Sequence, residues 1–285
     1  MRAAARLGVA PFVLAALLSG LELENLAAGI AANARGLTGA AAGTFLGGTT
    51  FLALGVAGLA ALVSPLDTQL PRGTLLWTAA APLPLLLLSL DGELSRLDGA
   101  ILVAWFGVAL FGLVRAGREL IEPDAPGDGQ SRGSLARRVV LPLVGGLALL
   151  VAGGDALARG IRQVVSHVGI PQTLLGNTVV AAAVEGEEIA RVVIPARRGR
   201  PEVGLANVLG TIVHFVALNA GVIALVRPLP LGHETLAVHL PAAVAATLVL
   251  CALASRGLGR LQGGVLVVLY LAYLAVAISV ATVNA

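Results

Sequence analysis

The sequence predicts an all-α polytopic membrane protein with about nine transmembrane helices, organised as two inverted-topology repeats. The apolar composition, an internal repeat and the placement of the arginines carry this prediction. Hydrophobic residues make up 57% of the 285 residues and charged residues 12%, with a mean hydropathy of +0.92. Soluble domains are normally about 25% charged. The composition therefore excludes a soluble globular domain, and the single cysteine, Cys251, excludes an intramolecular disulfide or a multi-cysteine metal site.

Nine apolar segments are long enough to be membrane helices, which need about 20 residues to cross the hydrocarbon core. The only long polar connection, 118–137, is rich in Pro, Gly, Asp and Arg, and we interpret it as a cytoplasmic linker between a first membrane half (1–117) and a second (138–285). The nine segments lie at about 8–33, 41–63, 73–90, 98–117, 138–161, 171–195, 203–226, 236–254 and 261–283.

The amino terminus has two interpretations. Arg2 and Arg6 ahead of an apolar run are also typical of a cleavable signal peptide. We favour a membrane helix, because the repeat begins at Gly20 inside the same run and cleavage there would cut the first unit. The repeat also places the counterpart of segment 138–161 ahead of Met1, so either the first unit lacks a leading helix or the true start lies upstream.

Gly20–Leu66 is repeated without a gap as Ala183–Leu229. An offset of 163 residues aligns acids with acids (Glu22 with Glu185) and Arg35-Gly36 with Arg198-Gly199. Such matches are more specific than alanine and leucine matches in a chain this apolar. A duplicated membrane unit is typical of secondary transporters, whose halves build one site at their interface. Gly47-Gly48, Gly55 and Gly58 are predicted to permit close helix packing.

The arginines predict the orientation of the two repeats. Most lie on the side that carries the amino terminus and the central linker, which the positive-inside rule places in the cytoplasm, with the carboxyl terminus outside. The first repeat then starts inside and the second outside, so the repeats are inverted. We expect a multi-pass protein of the plasma (inner) membrane. The arginines on the opposite side are Arg35, Arg96, Arg159, Arg162 and Arg227.

Five glutamates lie inside apolar segments, in two clusters related by the repeat. An ionised carboxylate at the bilayer centre costs about 2.5–3.5 kcal/mol on insertion scales. Residues i and i+3 share a helix face, so Glu22 is predicted to pair with Asn25 and Glu185 with Glu188. Converging oxygens suit Ca²⁺, Na⁺, Mn²⁺ or Mg²⁺ and do not suit thiophilic metals. Crowded carboxylates also repel one another, which favours proton uptake in place of a metal ion.

The remaining candidates are secondary. Glu24 and Glu187 point away from these pairs unless the helix is broken, and Gly20 and Gly186 favour local unwinding. Asn207 is expected either to contact the ion or to join helices. His214 is either a proton relay or a packed neutral side chain. Asp155 is predicted to pair with Arg159 at i+4, and His167, His233 and His239 are expected near loops with no metal-site spacing.

The second repeat resembles the alpha-repeat of the cation/calcium exchanger superfamily, the sodium/calcium and calcium/proton exchangers. The resemblance runs from about Leu147 to Leu229, and more weakly over Gly20–Leu66. Its motifs are Gly169-Ile170-Pro171, Gly176-Asn177-Thr178-Val179-Val180-Ala181, Glu188, Ala196-Arg197-Arg198-Gly199 and Ala206-Asn207-Val208-Leu209-Gly210.

This resemblance implies a site in which each repeat offers a Ser-x-Pro-Glu turn, followed in the next helix by Gly-Asn-x-x-Gly-Ser-Asn. The family acid, which binds the transported cation, falls on Glu188 and on Asn25, the serine on Glu185 and Glu22, and the proline on Glu187 and Glu24. The Gly-Asn position falls on Ala206-Asn207 and Gly43-Thr44, and the later asparagine on Ile212 and Thr49. These departures indicate a divergent branch, coupled to protons more than to sodium.

The sequence thus predicts a secondary active cation antiporter that exchanges Ca²⁺ or another divalent cation for protons or Na⁺ by alternating access. The predicted ion ligands are Glu22, Asn25, Glu185 and Glu188, with the metal held by Glu22, Glu185 and Glu188. No enzymatic activity, permanent cofactor or nucleic-acid partner is expected, only inorganic cations and lipid. Two alternatives stay open: a non-transporting or ion-sensing relative that lacks the missing family residues, and an intramembrane enzyme with paired carboxylates. A structural interpretation of the glutamates also stays open, in which they are protonated or pair with an arginine such as Arg191 and only join helices.

Overall fold

A computed structural model describes residues 22–116 and 135–283, which are almost entirely helical. Two short strands, Glu93–Leu94 and Leu229–Pro230, pair antiparallel and join two interhelical turns. Four helices contain π-helical turns, at Phe51–Val56, Gly176–Val180, His214–Asn219 and Thr235–His239. The helices are Leu23–Ala34, Thr38–Val63, Arg72–Leu88, Arg96–Ala116, Leu135–Val168, 172–185, Glu188–Arg197, Pro201–Val226, Thr235–Ala254 and Arg260–Val283.

The repeat found in the sequence is a structural repeat. Each copy consists of a short helix, a tight turn and a long helix: Leu23–Ala34 with Thr38–Val63, and Glu188–Arg197 with Pro201–Val226. The matched glycines of the turns, Gly36 and Gly199, have φ of 74° and 76°, the left-handed conformation that favours glycine after a helix. The π-helical turns Phe51–Val56 and His214–Asn219 also lie at the repeat offset.

The two repeats run in opposite directions through the molecule. The Nδ2 of Asn33, near the end of the first short helix, donates to the carbonyl of Arg227, just past the end of the second long helix, at 2.8 Å. The first long helix therefore starts where the second one ends, so the two are antiparallel. Each short helix packs against the last turns of the other repeat's long helix. The predicted inverted-topology, all-α architecture is confirmed.

Five predicted outer arginines lie together at one end of the bundle, which we call the arginine end. Arg227 Nη1 donates to the carbonyls of Asn33 and Ala34 at 3.1 and 3.0 Å, and Arg162 Nη2 donates to the carbonyl of Arg35 at 2.8 Å. Cations at helix C-termini satisfy terminal carbonyls and complement the helix dipole. The five residues are Arg35, Arg96, Arg159, Arg162 and Arg227.

Close glycine contacts join the first long helix to helix 172–185. A Cβ at Gly43 would lie 2.4 Å from the carbonyl carbon of Gly176, and one at Gly47 would lie 2.6 Å from the Cα of Asn177. Small residues let membrane helices approach backbone to backbone, where van der Waals contact replaces the hydrophobic effect as the driving force. The packing role predicted for the glycines is confirmed at Gly47, and also at Gly58, which faces the helix Arg260–Val283.

The structure corrects several predicted boundaries. Segment 171–195 is two helices separated at Gly186-Glu187, while segment 138–161 is part of the longer helix Leu135–Val168, which begins inside the predicted linker. Of the first segment, 8–33, only the part from Glu22 onward belongs to the described residues, and most of linker 118–137 lies outside them. Within that described part, five helices are long and apolar enough to cross a membrane. The total of nine stays a prediction.

Candidate functional site

The predicted site residues lie where two short helices begin in the interior of the bundle. Glu22 is the N-cap of the helix Leu23–Ala34, and Glu187 is the N-cap of the helix Glu188–Arg197. The second short helix continues the path of helix 172–185, which starts at the arginine end, so its break at Gly186-Glu187 lies part-way across. Acids are favoured at helix N-termini by the helix dipole, and interrupted helices of this kind build ion sites in transporters.

The i, i+3 pairs predicted from the sequence share one buried face in each repeat. The exposed fractions are 3% for Glu22, 2% for Asn25, 1% for Glu185 and 0% for Glu188. Glu24 is half-buried and Glu187 is exposed, because both lie on other faces of the interrupted helices. The structure therefore brings the four main candidates from two distant parts of the sequence into one interior cluster, which we call the acid cluster.

Amide groups bind two of the buried carboxylates. Asn25 Nδ2 donates to Glu185 Oε1 at 2.5 Å and so joins the two repeats. Asn207 Nδ2, from the second long helix, donates to Glu188 Oε2 at 2.6 Å. The other oxygen of Glu185, Oε2, is buried and has no hydrogen-bond partner among the described residues. A buried carboxylate oxygen without a partner is costly, so Glu185 Oε2 is an acceptor available to a ligand.

Arg191 completes the cluster, and the sequence did not place it there as a site residue. Its Nη1 donates to Glu22 Oε1 at 2.7 Å and also to Glu188 Oε1, while its Nη2 donates to Glu187 Oε1 at 2.6 Å. Glu187 and Glu188 precede it by four and three residues, so they share its side of the helix. This i−3, i−4 spacing is visible in the sequence and could have indicated that Arg191 pairs with Glu187 and Glu188. The arginine pairing considered as an alternative does occur, and it links the repeats.

The chemistry of the cluster suits a hard cation. Oxygens of Glu22, Glu24 and Glu187 lie within 4.8 Å of one another, and Glu185 and Glu188 are buried like Glu22. Carboxylate and amide oxygens are the ligands that Ca²⁺ prefers, whereas thiols are absent from the cluster. Glu24 also lines an open cavity of about 520 Å³ beside the helix Leu135–Val168. Apart from Glu24, the residues that line this cavity are apolar or glycine, so it is an apolar surface beside the cluster.

Comparison with known proteins defines the family. The model of the sodium/calcium exchanger protein family matches residues 2–115 and 139–279. The chain belongs to this family. The resemblance inferred from the second repeat is thereby confirmed, and the chain is a membrane protein of an exchanger family.

Three relatives have moderate sequence identity to this member of the exchanger family. The putative antiporter CaxA of Alkalimonas amylolytica is 26% identical over 193 residues, covering 64% of this chain and 60% of the relative. The sodium/calcium exchanger MaX1 of Methanosarcina acetivorans is 30% identical over 139 residues, covering 48% and 40%. The inner membrane protein YrbG of Escherichia coli is 27% identical over 227 residues, covering 73% and 67%. The chain thus spans about half the length of the first two relatives.

Solved exchanger structures share the fold. The H⁺/Ca²⁺ exchanger CAX superposes with a TM-score of 0.72 at 16% identity, covering 95% of this chain and 78% of that one. A structure of the sodium-calcium exchanger NCX_Mj superposes with a TM-score of 0.64 at 24% identity, covering 96% and 89%. At these identities the likeness establishes the architecture alone.

The family positions of the second motif behave differently in the two repeats. Asn207 contacts Glu188, whereas its counterpart Thr44 donates its hydroxyl to the carbonyl of Ala41 at 2.8 Å. Ile212 is fully buried, and its side chain has no oxygen that could bind a cation. The Oγ1 of its counterpart Thr49 is buried without a hydrogen-bond partner among the described residues. The acid cluster is therefore built mainly from the break and the two short helices.

His214 and Asp155 lie away from the acid cluster. His214 packs its ring on Phe106 with centroids 4.8 Å apart, and its Nδ1–H donates to the carbonyl of Gly210 at 2.8 Å. Within the described parts of the chain it makes no hydrogen bond to a glutamate of the cluster, which favours the packed interpretation. Asp155 binds Arg159, as predicted, and also Arg35 at the arginine end.

His239 lies shortly after the start of its helix, inside the predicted segment 236–254. The structure adds that it is fully buried in the π-helical turn Thr235–His239. Its Nδ1 lies 2.8 Å from the hydroxyl of Tyr273, which donates to the carbonyl of Asn177 at 3.3 Å, and its Nε2 lies 3.7 Å from Glu234. Burial raises the pKa of the Glu234 carboxyl. These residues form a polar chain that ties the last two helices to helix 172–185.

Tyr273→Phe is expected to destabilise the protein by about 1–3 kcal/mol, because it leaves a buried imidazole nitrogen and a backbone carbonyl without their shared partner. The measurement is the melting temperature of the purified protein in detergent. Tyr270→Phe is the matched control: the ring of Tyr270 packs at a tilt against Phe51 and Tyr273, but its hydroxyl makes no hydrogen bond with the described residues. Equal melting temperatures for both variants would contradict the role of the Tyr273 hydroxyl.

Proposed function

We propose that this chain is a secondary active cation antiporter that exchanges Ca²⁺ or another divalent cation for protons or Na⁺ across the plasma membrane. The observation that carries the proposal is the convergence of acids from two inverted repeats in one interior cluster, joined across the repeats by Asn25 and Glu185. Acids inside an apolar bundle are costly unless they serve a charged ligand or a proton. A site at the interface of inverted repeats is the arrangement that alternating access requires.

The ligands we assign are Glu22, Asn25, Glu185 and Glu188. All four are buried, and the unpartnered oxygen of Glu185 gives an entering cation one acceptor that it need not compete for. Glu24 and Glu187 are secondary ligands near the more open side of the cluster, and Asn207 orients Glu188. A divalent cation is favoured because the acids outnumber the one guanidinium among them.

Alternating access is supported by the antiparallel crossing of the two long helices. Since each short helix packs on the other repeat's long helix, a rocking motion of one group of helices would open the cluster first to one face and then to the other. Because close glycine contacts join them, the helices Thr38–Val63 and 172–185 would move together as one body. We assign the arginine end to the outside, the amino terminus to the cytoplasm and the carboxyl terminus to the outside, from the positive-inside rule.

Protons are the favoured counter-ion in this proposal. Neighbouring carboxylates in a poorly hydrated interior repel one another, so protonation stabilises the site when the metal leaves. Ile212 and Asn25 occupy positions where the sodium-coupled pattern has an amide and an acid, which weakens a sodium site. The relatives named as sodium/calcium exchangers keep Na⁺ as the alternative.

The proposal is tested by ion flux in proteoliposomes. We expect an imposed Ca²⁺ gradient to drive uptake of radiolabelled Ca²⁺ together with proton efflux, read with an internal pH dye, and the flux to persist without Na⁺. Glu93→Gln, an exposed acid in the short strand, is the control for a general loss of charge. If the intact protein moves neither Ca²⁺, Mn²⁺ nor Na⁺ faster than protein-free vesicles, the antiporter proposal fails.

One observation favours a second function. Arg191 binds three glutamates and so satisfies the cluster without any metal, as expected for a non-transporting or ion-sensing relative. Calorimetric binding of Ca²⁺ or Mn²⁺ to the purified protein, with no flux in vesicles, would select this alternative. An intramembrane enzyme is less well supported, because catalytic carboxylate pairs usually occupy different environments, whereas these acids are related by the repeat.

A further inference from the structure

The repeat relates two contacts in the acid cluster, and the chemical groups in these two contacts differ. The repeat offset relates Glu22 to Glu185 and Asn25 to Glu188, so the bond from Asn25 to Glu185 has a counterpart between Glu188 and Glu22. That counterpart joins two carboxylates, which repel each other when both are ionised. In the structure a cation lies between them: Arg191 Nη1 donates to Oε1 of both, at 2.7 Å for Glu22. The asymmetry of Asn25 and Glu188 thus creates a position that only a cation or a proton can satisfy.

Arg191 has no equivalent in the first repeat, where Ala28 occupies the matching position. A guanidinium is permanently charged and carries several donors in a plane, so it can bind several carboxylates at once. Its side chain is 39% exposed, unlike Glu22 and Glu188, which are 3% and 0% exposed. The guanidinium therefore reaches the buried pair from a more open side, and it can withdraw without unfolding the helices around it.

We propose that Arg191 is a tethered counter-ion of the acid cluster. It neutralises Glu22 and Glu188 when no transported cation is bound, and cation binding releases it. This inference rests on the proposed function of the cluster as a cation site. Glu185 Oε2, which has no partner among the described residues, is the acceptor that a cation gains without displacing a donor, and the bound charge then competes with Arg191 for Glu22 and Glu188. Competition from Arg191 thus raises the Kd of the site for the cation.

The test is equilibrium binding of Ca²⁺, with Mn²⁺ as a second probe, to the purified full chain by calorimetry. Arg191→Gln removes the competing charge, and we expect the Kd for Ca²⁺ to fall about tenfold, since releasing a charge-assisted contact no longer opposes binding. Arg191→Lys keeps the charge but not the planar fork, and its Kd should lie between the two. Arg159→Gln is the matched control, an exposed arginine that binds the single acid Asp155, and its Kd should equal that of the wild type.

Chemical rescue separates competition from a change in shape. Millimolar guanidinium chloride should raise the Kd of Arg191→Gln towards the wild-type value and leave the wild type unchanged, whereas tetramethylammonium chloride at the same ionic strength should do neither. If Arg191→Gln does not fold, as judged by gel filtration and melting, the lysine variant carries the test through a Kd lower than that of the wild type.

The outcomes distinguish the inference from the function on which it rests. A folded Arg191→Gln that binds Ca²⁺ no more tightly than the wild type overturns the counter-ion role alone, as does a lysine variant that matches the wild type when the glutamine variant is unfolded. A failure of wild type, Arg191→Gln and Arg159→Gln to bind either metal overturns the cation site, and the counter-ion role with it.

Discussion

Glu188→Gln is expected to lower cation exchange by about 100-fold, since a charge-assisted contact to a buried group is worth about 1.5–3 kcal/mol. Glu188 is fully buried, binds Asn207 and Arg191, and lies at the first turn of the second short helix. Glutamine keeps the size of the side chain but can supply only one acceptor oxygen and no charge. The measurement is initial uptake of radiolabelled Ca²⁺ into proteoliposomes that contain equal amounts of protein.

Glu185→Gln tests the same site from the other side of the break, and we expect a loss in the same direction. Its unpartnered oxygen, Oε2, is the atom that the amide nitrogen would replace or displace. Glu93→Gln, at the exposed strand, should keep wild-type uptake. Unchanged uptake in both Glu188→Gln and Glu185→Gln would refute the assignment of these residues as ion ligands.

Gly43→Ala is expected to destabilise the protein by about 1–3 kcal/mol, the usual cost of overpacking a close interface. The added Cβ would lie 2.4 Å from the backbone of Gly176, and a backbone cannot turn away as a flexible side chain can. Helix 172–185 would have to move, and with it the break that positions Glu185 and Glu188. The measurement is thermal unfolding in detergent, followed by intrinsic fluorescence.

Gly107→Ala is the matched control for this packing prediction. Gly107 lies in the membrane helix Arg96–Ala116, and a Cβ there would meet no atom within 4 Å. Alanine has the higher helix propensity, by about 0.8–1 kcal/mol in water, so this variant should be as stable as the wild type or slightly more stable. If Gly43→Ala and Gly107→Ala have the same melting temperature, the interface at Gly43 is loose enough to accept a methyl group, and the packing prediction is wrong.

Helix 172–185 connects the packing contacts to the acid cluster. The close glycine contacts hold helix 172–185 on the first long helix, and the acid cluster lies at the end of that helix. The polar chain of His239, Tyr273 and Asn177 fastens the same helix to the last two helices. A variant that loosens either contact should therefore affect cation exchange as well as melting.

Several features of this protein are local enough to be predicted from the chain alone. Apolar runs of about 20 residues predict membrane helices because unsatisfied backbone groups are excluded from lipid. The recurrence of Glu22 as Glu185 and of Arg35-Gly36 as Arg198-Gly199 predicted the repeat, and the arginines predicted its inversion. The i, i+3 spacing also predicted which acids share the buried face.

The main omissions concern contacts between distant parts of the chain, and one boundary also differs. The position of His239 near the start of segment 236–254 was predicted, but its complete burial against Tyr273 was not. Segment 171–195 was drawn as one span, although Gly186 favoured local unwinding, and the structure divides it at Gly186-Glu187. Arg191 belongs to the predicted segment 171–195, but its contact with Glu22 spans 169 residues and depends on the packing of the two repeats.

The amino-acid order by itself determined the class of protein, the duplicated unit, its two directions and the three polar residues near the start of each short helix, since each depends on neighbours in the chain or on a fixed period. Only the tertiary structure decided which of these groups meet. Amide–carboxylate and guanidinium–carboxylate bonds act over about 3 Å, so the meeting of Asn25 with Glu185, and of Arg191 with Glu22 and Glu188, depends on how antiparallel helices pack against one another.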